Sequence, residues 1–331
     1  MKRLIVCSDG LWQNANSPAH SNVGLVKAAI LPTATTPNSG KPVAQLSISD
    51  PFQAVAGKER QFLEASICWL YEQLALNYEP GDQLWFFGFS RGSFVVRSCI
   101  GLIRNAGLLK KQHLHRIDDA WHIYRTRWGA DARNGVLFRN AHSHLPEVKF
   151  LGAWDSVGAT GLPQGASPEN NTLGFHDNVL SRAVENAYHA LAIDETRKEL
   201  PPCLWVTSQD RARTEQCWFT GNHRDIGGIG GNMALANISL EWMLERARAI
   251  GLGIDTDFLR DALRVRNGNQ GTDFSTGVGI KTASRCRAIG VSNSDETLHS
   301  SAEQRFMRNP RYRPNNLKRF LQRDEQIQLP L

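Results

Sequence analysis

The chain has 331 residues, of which 41% are hydrophobic and 21% are charged, and its formal net charge is +6. This composition is typical of a globular protein with enough apolar side chains for a core. No apolar run reaches the ~18 residues that a membrane-spanning helix needs, and the apolar stretch at the N-terminus is too short for a signal peptide. We therefore expect synthesis in the cytoplasm. Six cysteines without a C-x-x-C pair predict reduced thiols rather than a disulfide framework.

Strand-like and helix-like patterns alternate along the chain. Predicted strands cover residues 3–7, 43–49, 83–87, 148–154, 204–207 and 216–220, and predicted helices cover residues 23–31, 58–78, 94–109, 110–128, 179–193 and 235–250. This alternation predicts an α/β fold with a doubly wound, mostly parallel sheet and helices on both faces. In such sheets the functional groups gather at the carboxyl ends of the strands. Those ends carry Asp9, Ser90, Asp155 and His223.

The sequence GFSRGS begins at Gly88, directly after the apolar run at residues 83–87 and before a helical pattern. A strand that ends in Gly-x-Ser-x-Gly and continues into a helix is the form of a nucleophile elbow, which exposes its serine at a sharp turn. Gly88 and Gly92 suit the close packing of strand and helix at such a turn. We therefore predict that Ser90 is a nucleophile.

A serine hydroxyl needs a base within hydrogen-bond reach, and that base needs an acid to orient it. The chain order Ser90, Asp155, His223 is the order found in hydrolases with this elbow. We predict that His223 is the base and Asp155 the acid. His299 remains an alternative base, and Asp225 remains an alternative acid or a supporting residue.

The oxyanion of an acyl-transfer intermediate needs two backbone N–H donors. Arg91 supplies one by its position after the nucleophile, and the loop after the first strand supplies the other from Gly10 or Leu11. Asp9 is then expected close to the site, where it orients this loop, contacts a polar substrate group or caps a turn.

Metal and cofactor sites are not expected. His113, His115, His142 and His144 form two His-x-His pairs, but no cysteine or carboxylate cluster completes a familiar ligand spacing. The glycines at residues 227–231 lack the G-x-G-x-x-G spacing of a dinucleotide-binding loop.

The C-terminal stretch is strongly basic. Residues 305–323 contain seven basic residues and no acidic one. This pattern predicts contact with an anionic membrane surface, an acidic substrate or an acidic partner, or else a solvated end of the chain. No nucleic acid is expected, because no nucleic-acid-binding module accompanies the patch. We expect a single catalytic domain over residues 1–331, with a basic C-terminal extension from about residue 305.

Six stretches together resemble a known family. They are LIVCSDGLW at 4–12, YEPGD at 78–82 with GFSRGS at 88–93, FLGAWDSVG at 150–158, HALAIDE at 189–195 and WFTGNHRDIGG at 218–228. They resemble a bacterial α/β-hydrolase domain that includes the catalytic domains of type VI secretion phospholipase effectors (Tle1-like). The chain departs from the family after the elbow, where Ser93-Phe94 stands in place of Ala-Tyr.

The resemblance implies a Ser–Asp–His hydrolase of esters, with phospholipids as the best-known substrate class. It places the family's nucleophile on Ser90, its acid on Asp155 and its histidine on His223. It also implies export by a contact-dependent secretion system, with a secretion or immunity protein as partner. We therefore expect a serine esterase or phospholipase that works through an acyl-enzyme. The alternatives are a small-ester or thioester hydrolase that does not act on membranes, and a non-catalytic binding module on the same fold.

Overall fold

The structure is a computed structural model that describes residues 1–9, 21–37, 39–52, 59–126, 130–158, 179–206, 213–230, 232–267, 286–290 and 295–327. It contains an eight-stranded sheet with the strand order β10-β9-β8-β7-β4-β1-β3-β2. These strands are β1 (Lys2–Ser8), β2 (Thr33–Thr35), β3 (Pro42–Ser49), β4 (Gln83–Phe89), β7 (Val148–Trp154), β8 (Asn186–Ala192), β9 (Arg213–Phe219) and β10 (Glu296–Leu298). All neighbouring pairs are parallel except β2 with β3. The predicted doubly wound α/β fold is therefore confirmed.

Two short strands, β5 (Leu108–Leu109) and β6 (Ser143–His144), form a separate antiparallel pair. The α-helices are α1 (Asn22–Ala29), α2 (Glu59–Asn77), α3 (Arg91–Ala106), α4 (Ile117–Arg125), α5 (Arg133–His142), α6 (His223–Gly227), α7 (Met233–Ala249), α8 (Thr256–Asn267), α9 (Ser300–Arg308) and α10 (Asn315–Ile327). Among the described helices, none is both long and apolar enough to cross a membrane.

Helices cover both faces of the sheet, because alternate residues of each central strand point to opposite sides. Leu4 and Val6 of β1 pack in one apolar cluster with residues of α2, α3 and α4. Ile5 and Cys7 of the same strand pack in a second cluster with residues of α1, α7 and α8. A strand that is buried on both faces needs apolar residues at consecutive positions, which explains the unbroken apolar runs of β1 and β4.

The C-terminal helices pack at the β10 end of the sheet. Ala302, Tyr312 and Leu317 form a third apolar cluster with Leu191 and Trp218 of β8 and β9. The basic stretch that begins at residue 305 includes the end of α9 and much of α10, so it is largely helical. Its apolar side chains Tyr312 and Leu317 contribute to this cluster.

Three predicted elements differ from the structure. The helix predicted over 179–193 is wrong: its second half is strand β8, because alanines that favour a helix locally are buried between β7 and β9. The strand predicted at 204–207 reduces to one bridge between Val179 and Val206, and residue 207 lies outside the described residues. The helix predicted over 110–128 begins as a 3₁₀-helix at Lys111–Arg116 before α4.

Candidate active site

The turn between β4 and α3 holds Ser90 in an unusual backbone conformation. Its φ is 57° and its ψ is −121°. Within the described residues, Ser90 and Asp155 (φ 39°) are the two non-glycine residues with positive φ. Such conformations cost energy and cluster at functional sites, so both residues are candidates on backbone geometry alone.

The glycines beside Ser90 permit a close approach of three chain segments. A Cβ on Gly88 would lie 2.6 Å from the Cα of Ser93, and one on Gly92 would lie 2.2 Å from the carbonyl oxygen of Ser8. A methyl group therefore fits at neither position without a backbone shift. The carboxyl end of β1 consequently lies directly against the start of α3.

A hydrogen-bonded chain joins the ends of three elements. His223 Nε2 lies 2.8 Å from Ser90 Oγ, and His223 Nδ1 lies 2.6 Å from Asp155 Oδ2. All three side chains are buried, and the His223 ring packs against Phe89 with a centroid separation of 4.8 Å. The structure thus brings together the three residues that the sequence singled out.

Asp155 is fully buried at the end of β7, and both of its carboxylate oxygens are engaged. Ala192 N donates to Oδ1 (3.0 Å), while Arg287 donates to Oδ1 (2.6 Å) and Oδ2 (3.0 Å). Burial alone would raise the pKa of Asp155, but the charge of Arg287 and the hydrogen bond of His223 outweigh it and hold this pKa well below its usual range. Asp155 is therefore a carboxylate at neutral pH.

A capping box fixes the start of α6, where His223 is the first residue. Asn222 Oδ1 accepts from Arg224 N (2.9 Å) and Asp225 N (3.2 Å), while Asn222 N donates to Asp225 Oδ2 (3.0 Å). These bonds satisfy N–H groups that a helix N-terminus leaves without intrahelical partners. Asp225, the alternative acid, therefore caps the helix, whereas the carboxylate that contacts the His223 ring belongs to Asp155.

Two acidic residues that follow β8 support the loop that carries His223. Asp194 Oδ2 accepts from Gly221 N (2.8 Å), and Glu195 Oε2 accepts from His223 N (3.1 Å). Tyr312 donates its hydroxyl to Asp194 (3.1 Å). We did not predict roles for Asp194 and Glu195 from the sequence, although both end one of the quoted motifs directly after an apolar run, which was a usable signal.

Substituting Glu195 with glutamine should weaken this support. Glu195 Oε1 accepts from Thr196 N (2.9 Å) and Arg197 N (2.7 Å), so both oxygens face N–H donors. A glutamine amide has one accepting oxygen. Its NH₂ group would face a backbone N–H, so two donors would meet without an acceptor. We expect Glu195→Gln to lower the free energy of unfolding by about 1–3 kcal/mol and turnover by about tenfold. Denaturant unfolding and ester hydrolysis measure the two effects.

The matched control is Glu199→Gln on the exposed part of the same loop, which should leave both quantities unchanged. Wild-type stability and turnover in Glu195→Gln would contradict the supporting role of Glu195.

His299, the alternative base, precedes α9 and caps it. Its Nδ1 lies 2.8 Å from Ser301 Oγ, and its ring stacks on Phe219 at a centroid separation of 4.6 Å. Burial lowers the pKa of His299, which favours its neutral form. Among the described residues, the imidazole nitrogen in contact with Ser90 belongs to His223.

The residues predicted for the oxyanion hole are described only in part. Arg91 is the first residue of α3, whereas Gly10 and Leu11 lie outside the described residues. Asp9 accepts a hydrogen bond from the hydroxyl of Ser21, which caps α1. The carbonyl oxygen of Asp9 also lies close to Gly92, so the end of β1 adjoins the elbow.

The histidines with metal-like spacing lie around the 3₁₀-helix and α5. His113 packs its ring against His142 at a centroid separation of 4.8 Å. No group of three or more His, Cys, Asp or Glu side chains able to hold a metal ion occurs in the part of the chain that the structure describes.

Comparison with known proteins identifies the family. The profile of the family described as "T6SS, Phospholipase effector Tle1-like, catalytic domain" matches residues 2–246. The chain belongs to this family. Ser90, Asp155, Glu195 and His223 lie inside the matched residues, whereas Arg287 lies beyond them.

Individual relatives of this Tle1-like chain are distant and longer. It is 28% identical over 229 residues to "Uncharacterized protein YEL023C" of Saccharomyces cerevisiae, a match that covers 59% of this chain and 31% of that protein. A crystal structure of an uncharacterised protein from Pseudomonas aeruginosa is similar over 76% of this chain and 46% of that one, at 17% identity and a TM-score of 0.40. The structure of the Tle1 effector bound to the VgrG spike is similar over 68% of this chain and 50% of that one, at 15% identity and a TM-score of 0.38. The chain thus spans half or less of the length of each.

Proposed function

We propose that this protein is a serine hydrolase that cleaves carboxylic esters of phospholipids through an acyl-enzyme. The observation that carries the proposal is the hydrogen-bonded chain from Ser90 Oγ through the His223 ring to Asp155. A serine, an imidazole and a buried carboxylate in this order are the parts that nucleophilic acyl transfer needs.

In the proposed reaction, Ser90 Oγ attacks the ester carbonyl while His223 Nε2 takes the hydroxyl proton. Asp155 accepts a hydrogen bond from Nδ1, which leaves Nε2 free to act as the base, and it stabilises the imidazolium that forms. The imidazolium then gives its proton to the leaving alcohol, and the acyl group stays on Ser90. Water releases the fatty acid by the same sequence, with His223 again as base.

The developing oxyanion is held, in this proposal, by the backbone N–H of Arg91 and by that of Gly10 or Leu11. The first residues of a helix direct N–H groups along the axis without intrahelical acceptors, and the helix dipole favours negative charge there. Arg91 occupies the first position of α3, directly after the serine.

The family supports a phospholipid as substrate. The exposed basic side chains support binding of the protein to an anionic membrane, where that substrate lies. In the C-terminal stretch, Arg305 is buried against Tyr312, and Arg313 lies over Phe306. Among the described side chains of this stretch, five basic ones are exposed: Arg308, Arg311, Arg313, Lys318 and Arg319. Clusters of exposed basic side chains are attracted to anionic lipid headgroups.

The family description also supports export from the cytoplasm through a type VI secretion system. A secretion or immunity protein is the partner in this proposal. A single catalytic domain over residues 1–331 is part of this proposal, and the apolar cluster that the C-terminal helices share with β8 and β9 supports it.

The proposed function is tested by fatty-acid release from vesicles of phosphatidylcholine, alone or mixed with phosphatidylglycerol. We expect release that is faster on the mixed vesicles and falls as salt is raised. A soluble short-chain ester and a thioester are the comparison substrates. Cleavage of those substrates without release from either vesicle would favour the small-ester or thioester hydrolase. A folded protein that cleaves none of the substrates would favour the binding module.

A further inference from the structure

Arg287 is a buried cation that contacts Asp155, which binds His223 at Nδ1 rather than at its reacting nitrogen, Nε2. It is 9% exposed and lies in the described segment 286–290. Besides its two hydrogen bonds to Asp155, its guanidinium donates to Ala192 O (3.1 Å) and Leu200 O (2.7 Å). These carbonyls anchor the guanidinium to the end of β8 and to the loop that follows it.

The pair between Arg287 and Asp155 has the two-pronged geometry that a guanidinium fork makes with a carboxylate. Nη1 lies 2.6 Å from Oδ1 and Nη2 lies 3.0 Å from Oδ2. Two parallel bonds fix the plane of the carboxylate as well as its position. Since Ala192 N also donates to Oδ1, the carboxylate can rotate very little, and Oδ2 is presented to His223 Nδ1.

We propose that Arg287 is a positioning residue for the reaction: its guanidinium orients the Asp155 carboxylate, so that Asp155 can hold the His223 ring. This inference rests on the proposed function. Arg287 does not touch the reacting atoms and acts through Asp155.

The other charged or titratable groups that face Asp155 do not replace Arg287. His189 is buried, its Nε2 accepts from Ser156 N (3.0 Å), and burial lowers its pKa to about 3, so it is neutral. Arg197 is engaged by Glu195. His223 is the group that Asp155 must orient. Arg287 is therefore the cation whose hydrogen bonds hold Asp155 in the described site.

Loss of the Arg287 charge should change how activity depends on pH. Without Arg287, the burial of Asp155 is no longer offset by a contacting cation, so its pKa rises and it takes up a proton as the pH falls. A protonated carboxyl group is a weaker acceptor for His223 Nδ1 and carries no charge to stabilise an imidazolium. Activity should therefore fall on the acid side of the pH profile and recover as the pH rises.

The test compares Arg287→Gln and Arg287→Lys with wild type by kcat and KM for a soluble ester across pH 5 to 9, below each protein's melting temperature. We expect Arg287→Gln to lower kcat at pH 6 by about a hundredfold, to recover part of it at pH 9 and to leave KM nearly unchanged. Arg287→Lys keeps a charge but loses the fork, so we expect a loss of about tenfold with the acid limb close to wild type.

The control is Arg260→Gln, which removes an exposed cation paired with Asp257 and should leave the profile unchanged. A loss of the same factor at every pH in Arg287→Gln would indicate a purely structural role and overturn the inference, as would a wild-type profile. If Arg287→Gln does not fold, the kcat of Arg287→Lys is the test, and a wild-type kcat in that variant overturns the inference. An active wild type with an inactive Ser90→Ala separates these outcomes from failure of the proposed function, whereas a wild type that cleaves neither the soluble ester nor the phospholipid vesicles overturns both.

Discussion

Replacing Ser90 with alanine should lower kcat by about 10⁵-fold or more, because the acyl-enzyme cannot form without the hydroxyl. The melting temperature should change little. The substitution removes one oxygen atom at the elbow, and alanine has nearly the same backbone preferences as serine at the φ of 57°. Ester hydrolysis and thermal unfolding of the purified variant measure the two effects.

Ser93 provides the matched control for this experiment. It lies in the first turn of α3, is fully buried, and its hydroxyl has no hydrogen-bond partner in the structure described here. Ser93→Ala removes the same atom three residues away and should retain wild-type turnover. Substantial turnover in Ser90→Ala would contradict the nucleophile assignment.

Replacing His223 with alanine should have an effect of the same order. The nucleophile loses its base, and the leaving alcohol loses its proton donor, so kcat should fall by about 10⁵-fold. His299→Ala is the comparison, since His299 caps α9 and stacks on Phe219 instead. We expect it to remain active, with some loss of stability from the cap.

Steady-state kinetics of both histidine variants, with thermal unfolding to confirm folding, distinguish the two bases. The reverse result, an active His223→Ala and an inactive folded His299→Ala, would transfer the role of base to His299. Loss of activity in both folded variants would mean that His299 also acts in the reaction.

Much of the fold was predictable because the central strands are buried on both faces. Uninterrupted apolar runs mark β1, β4 and β7, and a polar residue follows each run where the strand leaves the core. The local sequence therefore predicts both the strand and the polar residue at its carboxyl end. Strand β8 was missed because its alanines have high helix propensity, and the burial that makes it a strand depends on neighbours distant in sequence.

The supporting residues were harder to predict for a related physical reason. Arg287 is 132 residues from Asp155 along the chain, and no spacing rule connects an arginine near the C-terminus with a carboxylate at the end of β7. The contact of Glu195 with the His223 backbone is similarly non-local. The strand-end pattern identified Ser90, Asp155 and His223, whereas the residues that support Asp155 and His223 depend on contacts between distant parts of the folded chain.

Labelling with a fluorophosphonate probe shows whether Ser90 is an activated nucleophile. Wild type is treated beside Ser90→Ala, and the modified peptide is identified by mass spectrometry. We predict one label on Ser90 in wild type and none in the variant, because the probe reacts with a serine whose proton a neighbouring base can take. A folded wild-type protein that stays unlabelled, or that carries the label on a different serine, would contradict the assignment of Ser90 as the nucleophile.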